Sequence, residues 1–192
     1  MAFSTISPAP GLDTRSQRFV DAARELANAT GSAAFTVAQV TAAAGLSLKS
    51  FYACFRGKDD LLVALLATES RIGAEILEQR LAEQGDADPV HTFVTELFEM
   101  VLLPGADGYA GVLVREHRRL VEHDADAQRL ALSPLVDLLA HAIGSVGAKR
   151  DAETMFAVLL DGIHDVVVGR TDDPRELAEY LYRFCTFGLR SS

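Results

Sequence analysis

The stretch TVAQVTAAAGLSLKSFYACF, residues 36–55, holds two short helical periods with a glycine between them. Thr36 is a hydroxyl residue of the kind that caps a helix N-terminus, and VAQVTAAA follows it. Ala42, Ala43 and Ala44 let a second helix cross closely, and Gly45 accepts the positive φ of a sharp turn. Ser47 caps the second helix, LKSFYACF. Phe51 and Phe55 lie four apart and so share one face, predicted to look inward, with Leu46 plugging the junction. Leu48, Lys49 and Tyr52 project elsewhere. The spacing predicts a helix-turn-helix.

Outward from this motif every periodic stretch fits a helix and none an alternating strand, so the chain reads as all-α. An arm, residues 1–12, precedes TRSQRFVDAARELANAT, where Thr14 is the expected cap and Gly31 the stop. After the motif, a long helix from Asp59 to about Gln84 would span roughly 39 Å and join two units. Further helices follow: VHTFVTELFEMVLL, ended by Pro104-Gly105; GVLVREHRRLVEH; AQRLALSPLVDLLAHAIGSV, which Pro134 kinks or divides; AETMFAVLLDGIHDVVVG; and PRELAEYLYRFCTFGL. The division is a flexible arm at 1–12, a three-helix unit at 13–66 with its motif at about 36–55, and a larger helical unit at 67–192.

Composition sets the class. The chain has 192 residues, 49% of them apolar, and no apolar run approaches the roughly 18 residues that cross a bilayer. The start MAFSTISPAPGLD lacks the basic and apolar regions of a signal peptide, so a cytoplasmic location is expected. Cys54 and Cys185 stand far apart, without a CxxC pair or a neighbouring histidine, and read as reduced packing residues. A net charge of −9 argues against nucleic acid until its distribution is read. Residues 1–60 carry six Lys and Arg against five Asp and Glu, whereas the remainder carries 12 against 22. A near-neutral head on an acidic body points to two units with different partners.

The outward face of the motif's second helix fits a major groove, with its first residues at base edges and Tyr52 and Lys58 at flanking phosphates. The segment TVAQVTAAAGLSLKSFYACFRGKDDLL resembles the DNA-binding segment of the TetR-type (TetR/AcrR) transcriptional regulators. The pieces that match are Gly31, Thr36, Val37, Val40, Gly45, Leu46, Ser47, Phe51, Tyr52, Phe55, Lys58, Leu61 and Leu62, and the resemblance covers roughly residues 14–66. It implies that Thr36 offers its hydroxyl and helix N-terminus to a phosphate, Tyr52 its phenol and Lys58 its ammonium to others. The candidate DNA-binding set is Thr36, Gln39, Ser47, Leu48, Lys49, Ser50, Tyr52 and Lys58. Where the family often carries aromatics, this chain has Ala27 and Ser32, with Phe35 available to fill the space. Leu48, Lys49 and Cys54 also depart from the usual residues, so base preference does not carry over.

In the acidic body, the segment from Ala152 to Gly169 is apolar nearly all round and must be covered on two sides. With its neighbour it offers Phe156, Leu160, Ile163, Val167, Leu177, Tyr180, Leu181 and Phe184 as a dimer interface, a four-helix contact between two copies. The resemblance implies the same C2 dimer, with two recognition helices about 34 to 36 Å apart on an inverted-repeat operator. It also implies a small-molecule cavity between residues 90 and 168, predicted to be lined by apolar side chains and to take a small hydrophobic effector. His91, Arg115, His117, His141, Asp161 and His164 are the polar candidates there. Asp161, His164 and Asp165 form an i, i+3, i+4 cluster, read as a helix-surface group rather than a metal site. No catalytic residue, metal or cofactor is assigned, since GxSxG, HExxH and phosphate-cradling loops are absent from the sequence. The expected function is a ligand-responsive regulator, a repressor released from its operator by the effector. The alternatives are a helical enzyme built on His117 or His164, or a protein-interaction module without specific DNA binding.

Overall fold

The computed structural model describes residues 13–85, 88–102 and 110–189; the expected arm and the Pro104-Gly105 break lie outside them. The regular structure of the described residues is helical: α1 (Thr14–Thr30), α2 (Val37–Ala44), α3 (Leu48–Cys54), α4 (Lys58–Glu83), α5 (Pro89–Leu102), α6 (Ala110–His123), α7 (Ala125–Ile143), α8 (Ala148–Val167) and α9 (Pro174–Leu189). Helix ends follow local chemistry. Thr36 and Ser47 cap α2 and α3, and Gly31 and Gly45 close α1 and α2 at φ 61° and 62°.

Several details differ from the sequence reading. Asp13, not Thr14, caps α1, because its carboxylate accepts the Ser16 amide at 2.7 Å, which a residue already inside the helix cannot do. Helix α8 starts a turn before Ala152, at Ala148, after Gly147 turns the chain at φ 91°. Pro134 neither ends nor divides α7, which continues to Ile143.

Two regions of core share α4. Phe19, Val20, Ala23, Val40, Phe51, Leu61, Leu62 and Leu65, from α1 to the start of α4, are wholly buried. Phe19 meets Phe51 edge-on at 5.3 Å and Phe55 at 6.2 Å, and each ring buried this way stabilises the unit by about 1.5–3 kcal/mol. Further along, Leu77 of α4 is buried with Phe93, Leu120, Leu139 and Leu159. Its main partner there is α7, while α9 packs on α5 and α8. A single rod therefore runs along both regions of one continuous core.

Charged side chains tie that rod to α6 and α7. Asp60 accepts from Arg56 Nε at 2.7 Å and faces His123 Nε2 at 3.1 Å, Arg119 pairs with Asp59, and Asp124 lies 3.7 Å from Arg56. The Arg56 hydrogen bond holds the Asp60 carboxyl well below the usual carboxylate range; burial opposes this and the His123 contact adds to it.

Candidate nucleic-acid interface and effector cavity

The helix-turn-helix is fixed from behind. Arg18 of α1 donates from Nη2 to the Ala44 carbonyl at 2.6 Å, satisfying an orphan acceptor at the end of α2. Glycine at position 45 serves the left-handed backbone; a Cβ there would meet only that same nitrogen, at 3.4 Å. Arg18 was not among the sequence candidates, because its role depends on a contact 26 residues away.

With Phe51 and Phe55 buried, the opposite side of α3 is open. Leu48 is 51% and Tyr52 57% exposed, and Ser47 and Lys49 are exposed beside them. Ser47 Oγ accepts the Ser50 amide at 3.1 Å, and its hydroxyl lies 2.9 Å from that of Ser50. The Tyr52 ring stands edge-on to Phe51 at 5.4 Å, which directs the phenol outward from a rigid base. Thr36 and Gln39 form a reciprocal cap: Gln39 N donates to Thr36 Oγ1 at 3.2 Å and Thr36 N to Gln39 Oε1 at 2.7 Å. Their side chains are thus engaged locally. What α2 presents outward is an exposed, capped N-terminus, a favourable place for an anion.

Lys58 departs from its expected direction. Its Nζ donates to the Ala33 carbonyl and lies 5.2 Å from the Phe35 ring centroid, because the loop between α1 and α2 turns that carbonyl toward the start of α4. Phe35 is buried, filling space as expected.

In the body, a partly open cavity of about 140 Å³ is lined by α4 through α8. Its wall is almost wholly apolar, including Leu97, Met100, Leu113, Leu135 and Phe156, with Glu69, Ser70 and His117 as the polar exceptions. Of the six polar residues the sequence offered, only His117 reaches it. His91 Nε2 instead lies 2.7 Å from Glu179, Arg115 donates to the Val167 carbonyl at 3.1 Å, and Asp161 pairs with Arg118 at 2.7 Å. Asp165 pairs with Arg170 at 3.3 Å, in keeping with a helix-surface group. Burial, and then the neighbouring His164 and Arg118, hold His117 below the ordinary imidazole value. Glu69 carries a link out of the cavity: Arg24 Nε of α1 donates to its carboxylate at 2.7 Å, and Arg24 also holds Asp21 at 2.8 Å. Sequence missed Glu69 and Ser70, although Leu66, Ser70, Gly73 and Leu77 lie along one stripe of α4, where a serine among apolar positions is a usable signal.

The α8 and α9 face divides differently from the eight residues named for it. Phe156, Leu160, Ile163 and Leu181 are buried inside the protomer, and the first three line the cavity, so they cannot supply an outer contact. Both faces of α8 were apolar in sequence, and nothing in its period says which faces inward. Val167 and Leu177 are half-buried. Tyr180 and Phe184 are 55% and 62% exposed, stacked at 6.2 Å, and Phe187 next to them is 77% exposed. They border an open groove with Met155, Val158 and Cys185, and burial pushes the Cys185 thiol up, away from the reactive thiolate.

Comparison with known proteins agrees with this architecture. No curated protein sequence matches the chain. Among solved structures, the multidrug binding protein EbrR complexed with ethidium superposes with a TM-score of 0.68 at 24% identity, covering 88% of this chain and 97% of that one. RolR in complex with resorcinol gives 0.65 at 18% identity, covering 88% and 86%. The transcriptional regulator FadR from Bacillus subtilis in complex with stearoyl-CoA gives 0.61 at 14% identity, covering 88% and 96%. At these identities the likeness is one of fold. Residues 19–65, the segment that contains the helix-turn-helix, match the family model of bacterial regulatory proteins, tetR family.

Proposed function

We propose that the protein is a ligand-responsive repressor that binds an inverted-repeat operator as a homodimer and leaves it when a small hydrophobic molecule occupies the cavity. The observation that carries this reading is the outward face of α3, where Ser47, Leu48, Lys49 and Tyr52 stand exposed on a helix anchored by buried Phe51 and Phe55. Residues 13–66 form the proposed DNA-binding unit and 67–192 the regulatory and dimerisation unit. In it Ser47, Leu48, Lys49 and Ser50 meet bases, while Tyr52 and the Thr36–Gln39 end of α2 meet phosphates. Lys58 acts at one remove, holding Ala33 and so the loop that sets Thr36.

One such head carries few cations, so adequate affinity calls for two. The exposed Tyr180, Phe184 and Phe187 are the proposed centre of the dimer contact, flanked by Val167 and Leu177. Effector response is supported by the position of the cavity against α4 and by Glu69, which lines it and grips Arg24 of α1. An occupant that fits one arrangement of α4 better than another shifts the population of head spacings, and only that difference in affinity drives release. A cytoplasmic location follows from this role; among the described residues no helix is long and apolar enough to cross a membrane.

The test is fluorescence anisotropy with duplexes from the DNA flanking the protein's own gene. Specific retention that falls steeply with added salt supports the reading. Equal affinity for every duplex, or none at low salt, contradicts it and leaves the protein-interaction alternative.

A further inference from the structure

The ligands named for the three structural neighbours differ too widely to identify an effector, so the class of occupant must come from this chain's own cavity. Its volume of about 140 Å³ lies below the range of about 300–1,000 Å³ usual for drug-sized ligands. An apolar protein cavity of about 150 Å³ takes benzene. One ring therefore fills the space.

Two polar groups in the wall are left without a protein partner among the described residues. Ser70 is only 4% exposed. Helical hydroxyl residues here usually bond back to the preceding turn: Thr68 donates to Ala64 O at 2.9 Å, and Thr95 and Thr154 behave alike. Ser70 makes no such bond, and the residue lines the cavity. His117 is the second. Gln128, itself 6% exposed, approaches His117 Nδ1 with its amide Nε2 at 2.9 Å, and an amide nitrogen only donates. In the neutral ring Nδ1 accepts and Nε2 carries the hydrogen, a donor that has no acceptor among the described residues. Burial favours that neutral form. The third polar group, Glu69, is already paired with Arg24, and an anion entering this apolar wall would lose its hydration.

We propose that the cavity binds an uncharged single-ring molecule bearing a hydroxyl group, a phenol in the simplest case, whose oxygen accepts from His117 Nε2 and whose O–H donates to Ser70 Oγ. This specifies the ligand class of the effector reading above and rests on it for its biological meaning, but the binding step stands without DNA. Calorimetric titration of the full chain, in the absence of DNA, with phenol, toluene, benzoate and decanoate tests it. Phenol is expected to bind more tightly than the other three. Ser70→Ala and His117→Phe should each weaken phenol about fivefold, the effect of one neutral hydrogen bond, while leaving toluene unchanged. Thermal melting confirms that each variant folds, and Ser70→Ala, which deletes a single oxygen, keeps the test open if the other does not. Toluene or decanoate binding as well as phenol, equal losses for phenol and toluene in the variants, or no heat with any probe at millimolar concentration would overturn the assignment. Phenol binding with no effect on DNA affinity would sink effector release and leave this site intact.

Discussion

At the scale of single residues, the recognition surface depends on a glycine and a tyrosine. Gly45 sits at φ 62° with Arg18 against it, and a side chain there adopts the left-handed region at about 1–2 kcal/mol. Gly45→Ala is expected to lower unfolding free energy by that amount in urea titration, and to weaken DNA retention as the two helices shift. Tyr52→Phe removes a proposed phosphate contact and should weaken binding to all duplexes by about three- to tenfold. Leu48→Ala and Lys49→Ala should instead change which sequence is preferred. Residue roles of this kind were legible wherever they rest on local geometry: Thr36, Gly45 and Ser47 act within their own turn. Lys58 was misdirected, and Arg18 unseen, because each reaches a carbonyl about 25 residues away, and spacing along the chain says nothing of which carbonyl will face it.

Among the helices, the charge cluster where α4 meets α6 and α7 has a definite pH signature. The Asp60 carboxyl is depressed in the folded protein, so its contribution is fully present above the unfolded value of about 3.9 and is lost as pH falls from there toward the folded one. Asp60→Asn should therefore cost about 1–2 kcal/mol at pH 7 and clearly less at pH 3, measured by urea unfolding at both. A gap that stays constant with pH would show that the carboxylate's charge is not what matters. Helix α9 carries the second element-scale expectation. Phe184→Glu puts a charge at the centre of the proposed contact and should weaken self-association at least about 30-fold in analytical ultracentrifugation. The helices themselves were readable from period and breakers, with an error of one residue at the α1 cap and about a turn at α8. Their inward and outward faces were not readable where both are apolar, which is why Phe156, Leu160, Ile163 and Leu181 were given to the interface rather than the core.

For the molecule as a whole, the α4 rod joins the proposed DNA-binding head to a body with a cavity, and Glu69 of that rod pairs with Arg24 of α1. The uneven charge distribution and the long helical period after Gly57 were visible in the sequence. Its cavity was not, because the wall is assembled from five helices and no single stretch of sequence contains it. The cavity's polar features, Ser70 and His117, gain meaning only from what surrounds them. Selection of bound duplexes from a fully randomised pool tests the central claim, a paired recognition helix in adjacent major grooves, most directly. The wild-type chain should enrich two inverted half-sites centred about one helical turn apart, roughly 34 to 36 Å, and Leu48→Ala or Lys49→Ala should enrich altered half-sites at the same spacing. A pool that returns no motif, or a single unpaired one whose sequence is indifferent to changes at Leu48 and Lys49, would contradict it.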